Sequence, residues 1–304
     1  MKNLFNIDSF SERLAGPFQF PLTRIYFLRA VALVLLLNYG LFWVWHADDY
    51  WGTTRLLLPY YNTSYPIFFP FNLLEVITAD WLWKGFLFSI FPLCCLAVFR
   101  PLNWYLWAAI YWVHANLFHG TAALQNAGSN TLLMAMLLCL LMVPLPFFAK
   151  SGPWLWLRNS LSHLGFAMII FQVLLLYLVA SIAKLGGVKW LDGSAFYYVL
   201  MNDIYSHPWF RAVFSQNDFV VRFVSWFTLV FQFLFPVLVW FRKTKLAFLF
   251  MGVVFHLMII MVMGIEDFGL IMLVLYIPFL GESRLLALNN RIRKSKFFRH
   301  TLSD

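Results

Sequence analysis

HLGFAMIIFQVLLLYLVASIA, residues His163–Ala183, carries no Asp, Glu, Lys or Arg and no proline. It is about 20 residues long, which as a helix rising 1.5 Å per residue spans the roughly 30 Å hydrocarbon core of a bilayer. Its lone Gln172, Tyr177 and Ser181 are uncharged polar groups that a helix interior can satisfy. Seven further apolar segments follow the same pattern: Ile25–Trp45, Leu82–Phe99, Trp104–Phe118, Thr131–Phe148, Val220–Phe241, Leu246–Met263 and Phe268–Leu280. The third and the eighth are short for a span.

Composition agrees. Of 304 residues, 62% are hydrophobic and only 12% charged, against roughly 25% charged in an average soluble domain. Mean hydropathy is +0.76. A soluble fold of this length cannot hide that much apolar surface. A soluble enzyme, a disordered chain and a disulfide scaffold are excluded. The runs are continuous rather than alternating over about 10 residues, which excludes a transmembrane β-barrel. The expected fold is therefore all-α: a multi-pass transmembrane helical bundle of about eight spans. Cys94, Cys95 and Cys139 all sit inside apolar runs and read as small buried hydrophobes.

The net charge of +9 is placed like a topology signal, not like a nucleic-acid surface. Assigned to alternate sides of eight spans, 16 of the 22 Lys and Arg fall on one side and six on the other, while nine of the 13 acids fall opposite. Both termini are thus expected in the cytoplasm. The chain divides into an amphipathic interfacial segment over 1–24, a membrane domain over 25–281 and a basic tail over 282–304 whose RIRKSKFFRH run suits anionic lipid. No cleavable signal peptide is expected at the N-terminus. The stretches 46–81 and 184–219 are too polar to span and rich in Trp and Tyr, as interfacial segments are.

Ionisable groups inside such a domain need a reason, because a central charge costs about 2.5–3.5 kcal/mol on insertion scales. Arg29 lies roughly 6 Å into the first span; it either snorkels to lipid phosphates or tethers helices, with Glu282 as a partner. His114 and His119 are five residues apart, about 140° around a helix, so they cannot readily share a metal; no metal site is expected. His256 is either a satisfied interior histidine or a donor to a bound ligand. Lys184 is either a snorkelling or ion-paired lysine, or a desolvated amine able to act as a base. With the orientation above, Lys184, His114, His119, Asn126, Asp192, Glu266 and Asp267 form an outer-side polar set, so any chemistry is expected to open outward.

The segment LVASIAKLGGVKWLDGSAFYYVL, Leu178–Leu200, resembles the signature of the horizontally transferred transmembrane (HTTM) domain, shared with vitamin K-dependent γ-carboxylase. TRIYFLRAVALVLLL at Thr23–Leu37 and FHLMIIMVMGIEDFGLIMLVLYIPFL at Phe255–Leu280 are similar to that family's first span and late His-containing helix pair. The resemblance implies a base at Lys184 that deprotonates a hydroquinone, a late functional histidine at His256, and a quinone cofactor walled by Trp190, Tyr197 and Tyr198. The motif here carries one lysine where the carboxylase has two, and the large lumenal domain of the carboxylase has no counterpart. In that the chain is similar to small bacterial members, which include a maturation factor for a sporulation-delaying peptide toxin. The similarity implies a protein of a bacterial plasma (inner) membrane that acts on a secreted peptide or protein with accessory subunits. Quinol-linked enzyme, maturation factor, and transporter or lipid-handling protein stand as the three readings.

Overall fold

The computed structural model describes residues 21–45, 47–48, 80–121, 127–144, 153–203 and 205–294, which are helical nearly throughout and contain no strand. The interfacial reading of residues 1–20, most of 46–81, Asn126 and the tail from 295 onward lie outside the described residues. Five helices are long and apolar enough to cross a membrane: Leu22–Trp43, Trp81–Phe99, Leu157–Leu185, Asp218–Leu238 and Lys245–Met263. The chain therefore has the all-helical, membrane-type architecture that its composition demands. The chain separates into two compact units, one formed by residues 1–168 with 280–304 and the other by residues 169–279.

In the first unit, helix α1 (Pro21–Asn38) continues into one π-helical turn at Tyr39–Trp43 and packs along α3 (Ile90–Phe99). The apolar run Trp81–Phe99 is one span made of two helical pieces that meet at Ser89. Helix α2 (Asp80–Phe88) stops at Ser89, because Pro92 offers no N–H and its ring collides with the carbonyl four residues back, at Phe88. Helices α4 (Trp104–Thr121) and α5 (Ala127–Leu140) follow, each packed on its predecessor. The indole N–H of Trp107 donates to Pro101 O at 2.7 Å and that of Trp104 to Leu141 O at 2.9 Å, so the fully buried Trp107 and the half-buried Trp104 each satisfy their one donor. A Cβ on Gly165, in α6 (Pro153–Leu185), would lie 2.6 Å from Cys139 O, so only glycine lets α6 approach the end of α5.

The last helix of the chain, α13 (Glu282–Lys294), closes this unit. Its Glu282 carboxylate accepts from Leu22 N at 3.0 Å, Thr23 N at 3.1 Å and Thr23 Oγ1 at 3.1 Å. An acid 260 residues away in sequence thus caps the orphan N–H groups of α1, where the helix dipole also favours a negative charge. Tyr26 Oη donates to Asn289 Oδ1 and adds a second clasp. Glu282→Ala should lower stability by about 1–2 kcal/mol, the usual range for a lost N-cap. Glu282→Gln, which keeps one acceptor oxygen, should cost about half of that; thermal melting of the detergent-purified variants reads both.

The second unit takes the later part of α6, the short helices α7 (Val188–Leu191), α8 (Ala195–Met201) and α9 (Pro208–Phe214), and the long α10 (Asp218–Leu238) and α11 (Lys245–Met263). Helix α11 ends at Gly264, whose φ of 62° is left-handed, and the chain returns as α12 (Glu266–Val274). The eighth apolar segment is thus not one long helix. Nine residues of α12 rise only about 13 Å, and a 3₁₀ turn at Ile277–Phe279 follows.

Candidate functional site

The second unit holds most of the residues singled out in the sequence. Helix α6 ends at Leu185 because Gly186 and Gly187 follow, and Gly187 turns extended as the N-cap of α7. A Cβ at Gly187 would sit 3.1 Å from Trp190 Cδ1. The missing side chain lets Trp190 fold back on the end of α6, where Lys184 Nζ lies 5.0 Å from the centre of its ring. The same amine reaches Ala180 O at 3.4 Å. Among the described residues Lys184 is in no salt bridge.

Asp192, the acid nearest in sequence, is committed elsewhere. Its Oδ1 accepts from Ser194 N at 2.8 Å and from Ser194 Oγ at 2.6 Å, an Asx turn that positions Gly193 at φ 80°. Those hydrogen bonds hold its carboxyl below the ordinary carboxylate range. Lys189 donates to Tyr198 Oη at 2.6 Å and lies 4.3 Å from that ring's centre; the hydrogen bond raises its pKa above the ordinary lysine value. The aromatic walls expected around Lys184 are therefore divided. Trp190 meets Lys184, Tyr198 meets Lys189, and Tyr197 stands edge-on to Tyr198 at 5.6 Å with both tyrosines exposed.

Deeper in the unit His256 is fully buried on α11. Its Nε2 is 2.7 Å from Tyr177 Oη of α6, and that hydroxyl in turn makes a short hydrogen bond with Tyr276 Oη, in the turn after α12. Phe231 and Phe235 of α10 pack on Tyr177 at 5.6 and 4.5 Å, and Phe255 and Phe268 flank the imidazole. Two glycines make the room. A Cβ at Gly252 would come 2.6 Å from Tyr276 Cζ, and one at Gly269 would come 2.8 Å from Ile260 Cδ1 and 3.2 Å from His256 O.

This Tyr276–Tyr177–His256 chain has two complete registers. If Tyr276 donates to Tyr177 and Tyr177 to Nε2, the imidazole proton sits on Nδ1; if Nε2 donates, both hydroxyl protons reverse. Nδ1 is buried and has no hydrogen-bond partner among the described residues. It is the open end of the chain, a donor in one register and an acceptor in the other. His256 was legible as a polar residue in a span. Tyr177 and Tyr276 were not, although a tyrosine hydroxyl at mid-helix in an apolar run signals a partner that has to exist.

The remaining candidates each serve a local contact. His114, in the first unit, is buried, and its Nδ1 lies 2.7 Å from Tyr39 Oη, at the π-helical turn; its Nε2 has no partner among the described residues. It is thus an interior group, as a hydrogen-bonded histidine in a span is expected to be. His119 lies in α4, and its side chain is outside the described residues. Asp267 Oδ1 accepts from Phe268 N at 2.7 Å, and with Glu266 it occupies the first turn of α12, where acids complement the helix dipole. The pairing of Arg29 with Glu282 does not form. Arg29 Nε donates to Val98 O at 3.0 Å, tying α1 to an orphan carbonyl at the end of α3, while Glu282 is engaged by Leu22 and Thr23. Among the described residues no group of three or more His, Cys, Asp or Glu is arranged to hold a metal.

No family model matches this chain. No curated protein and no solved structure matches it either.

Proposed function

We propose that this chain is a multi-pass protein of a bacterial plasma membrane, with eight apolar segments and both termini in the cytoplasm, that acts from the extracytoplasmic side in the maturation or modification of a secreted peptide or protein. The reading rests on the resemblance of Leu178–Leu200 to the HTTM signature, and the observation that supports it is the setting of Lys184. The glycines, tryptophan and Asp-Gly of that stretch each have a geometric task, and together they leave a lysine amine against an indole face with no carboxylate beside it among the described residues. A docking or reactive amine needs that freedom. An amine held in an ion pair lacks it.

A quinol-linked, carboxylase-type activity is the second reading. The hydrogen-bonded Tyr276–Tyr177–His256 chain favours it, since proton transfer to or from a bound hydroquinone calls for groups that can reverse donor and acceptor roles. Two experiments test the proposal. Reporter fusions after Lys150, Lys243 and the C-terminus should report cytoplasm, and fusions near Tyr61 and Ser206 the outside; an external C-terminus overturns the topology. Cells making a candidate secreted peptide with and without this chain should differ in the mass or activity of the exported product. An identical product in both strains removes the maturation role.

A further inference from the structure

Helices α10 and α11 leave an open trough of about 340 Å³ between them on the apolar surface of the second unit, lined by Phe223, Trp226, Val230 and Leu234 of α10 and by Phe248 and Met251 of α11. Both helices are of membrane-spanning length and composition. Phe227 and Phe231 complete the lining. Phe219, Phe223, Phe227 and Phe231 recur every fourth residue and stack with interplanar angles of 16°, 20° and 7°, and Phe248 continues the stack on Phe231 at 17°. The stacked phenylalanines give the trough a continuous apolar wall. A linear hydrocarbon chain fits such a wall.

Two measures specify the occupant. From Phe223 to Leu234 the trough runs about 16 Å along α10, and one leaflet of the hydrocarbon core is about 15 Å deep. Its mouth at the start of α10 is polar and balanced. Arg222 Nε pairs with Asp218 at 2.9 Å, Arg222 Nη1 reaches Asp192 O at 3.4 Å, and the indole of Trp226 donates to Leu191 O at 3.2 Å. Lys189 adds a second cation that acts electrostatically on Asp192. Two acids and two bases, all exposed, thus stand at the end of an apolar trough one leaflet long. We propose that this trough is a binding site for one phospholipid with a zwitterionic headgroup: an acyl chain lies on the phenylalanine wall, the phosphate meets Arg222 and Lys189, and the ammonium meets Asp218 and Asp192. An anionic headgroup gains less, because it faces as many acids as bases.

The test is native mass spectrometry of the purified full chain, delipidated and then offered dioleoyl phosphatidylethanolamine or dioleoyl phosphatidylglycerol at equal concentration. The wild type should retain one phosphatidylethanolamine in preference to phosphatidylglycerol. Val230→Trp, which fills the trough, should lower the bound fraction by about tenfold, equivalent to losing one well-packed contact, and Met251→Trp from the opposite wall should do the same. Leu175→Trp, on an exposed apolar position of α6 that does not line the trough, should leave binding unchanged. Each variant is first checked for a single gel-filtration peak. Absence of bound phosphatidylethanolamine on the wild type overturns the proposal, as does equal retention of the two lipids. Retention that survives both filling variants, or that falls equally in Leu175→Trp, overturns it too.

Discussion

Cells producing Lys184→Ala or Lys184→Arg in place of the wild type should assemble the protein at normal level and lose at least about 100-fold of its activity on an exported peptide, the low end of what a positioned proton-transfer group contributes. A lysine paired with a carboxylate at 4 Å gains about 4 kcal/mol at an effective dielectric constant near 20, which holds the proton on nitrogen. Lys184 has Trp190 instead, at 5.0 Å from the ring centre, and a cation over an aromatic face gains only about 0.5–2 kcal/mol. The protonated form is kept in place but not locked. Arginine in the same position keeps the charge and the aromatic contact yet cannot give up a proton, so it separates the two roles. Full activity in Lys184→Arg, with export and melting unchanged, would reduce the residue to a positive charge and remove the base from the proposal. Retention of activity in both variants would remove the site altogether.

Tyr177→Phe should be the most destabilising single-atom change in the second unit, by about 2–4 kcal/mol, since it strands two buried polar groups at about 1–3 kcal/mol each. Those groups are His256 Nε2 and Tyr276 Oη, both bonded to the same hydroxyl. Polar contacts between membrane helices average closer to 0.6 kcal/mol in double-mutant cycles, because the unfolded chain in lipid also finds partners; the lower half of the range applies if His256 finds a new one. Tyr276→Phe strands nothing at His256 and should cost less. The double variant Tyr177→Phe/Tyr276→Phe should be no worse than Tyr177→Phe alone, as one stranded hydroxyl disappears with it. Unfolding of the detergent-solubilised protein by titrated denaturing detergent gives the ranking. Equal stability of wild type and Tyr177→Phe would mean that the hydroxyl carries no interhelical bond.

Much of the architecture was legible in advance because lipid imposes a simple rule on backbone: uncharged runs of about 20 residues must be helical. His163–Ala183 and Val220–Phe241 became long helices on that ground alone. The run Leu82–Phe99 likewise lies within one span, Trp81–Phe99; the same rule predicts the length of an apolar segment and says nothing of the local interruption at Ser89, three residues before Pro92. At the site, Lys184 and His256 were visible as ionisable groups in costly places. Tyr177 and Tyr276 lay hidden among the 60 other aromatic residues of a chain that is 20% Phe, Trp and Tyr, where one more tyrosine carries no signal.

By itself, then, the sequence determined the class, an all-helical membrane protein, because hydropathy is a sum over residues and needs no knowledge of neighbours. It also determined the local geometry of Leu178–Leu200, since glycine, tryptophan and Asp-Gly act within a few residues of one another. Partnership was decided only in three dimensions. Arg29 met Val98 and not Glu282, Glu282 capped a helix that begins 260 residues earlier, and His256 met a tyrosine 79 residues away. Hydrogen bonds reach about 3 Å and carry no trace in the spacing of the residues that make them. Which donor meets which acceptor follows from how helices pack, and that is set by many weak contacts at once, the absent Cβ atoms of Gly252 and Gly269 among them.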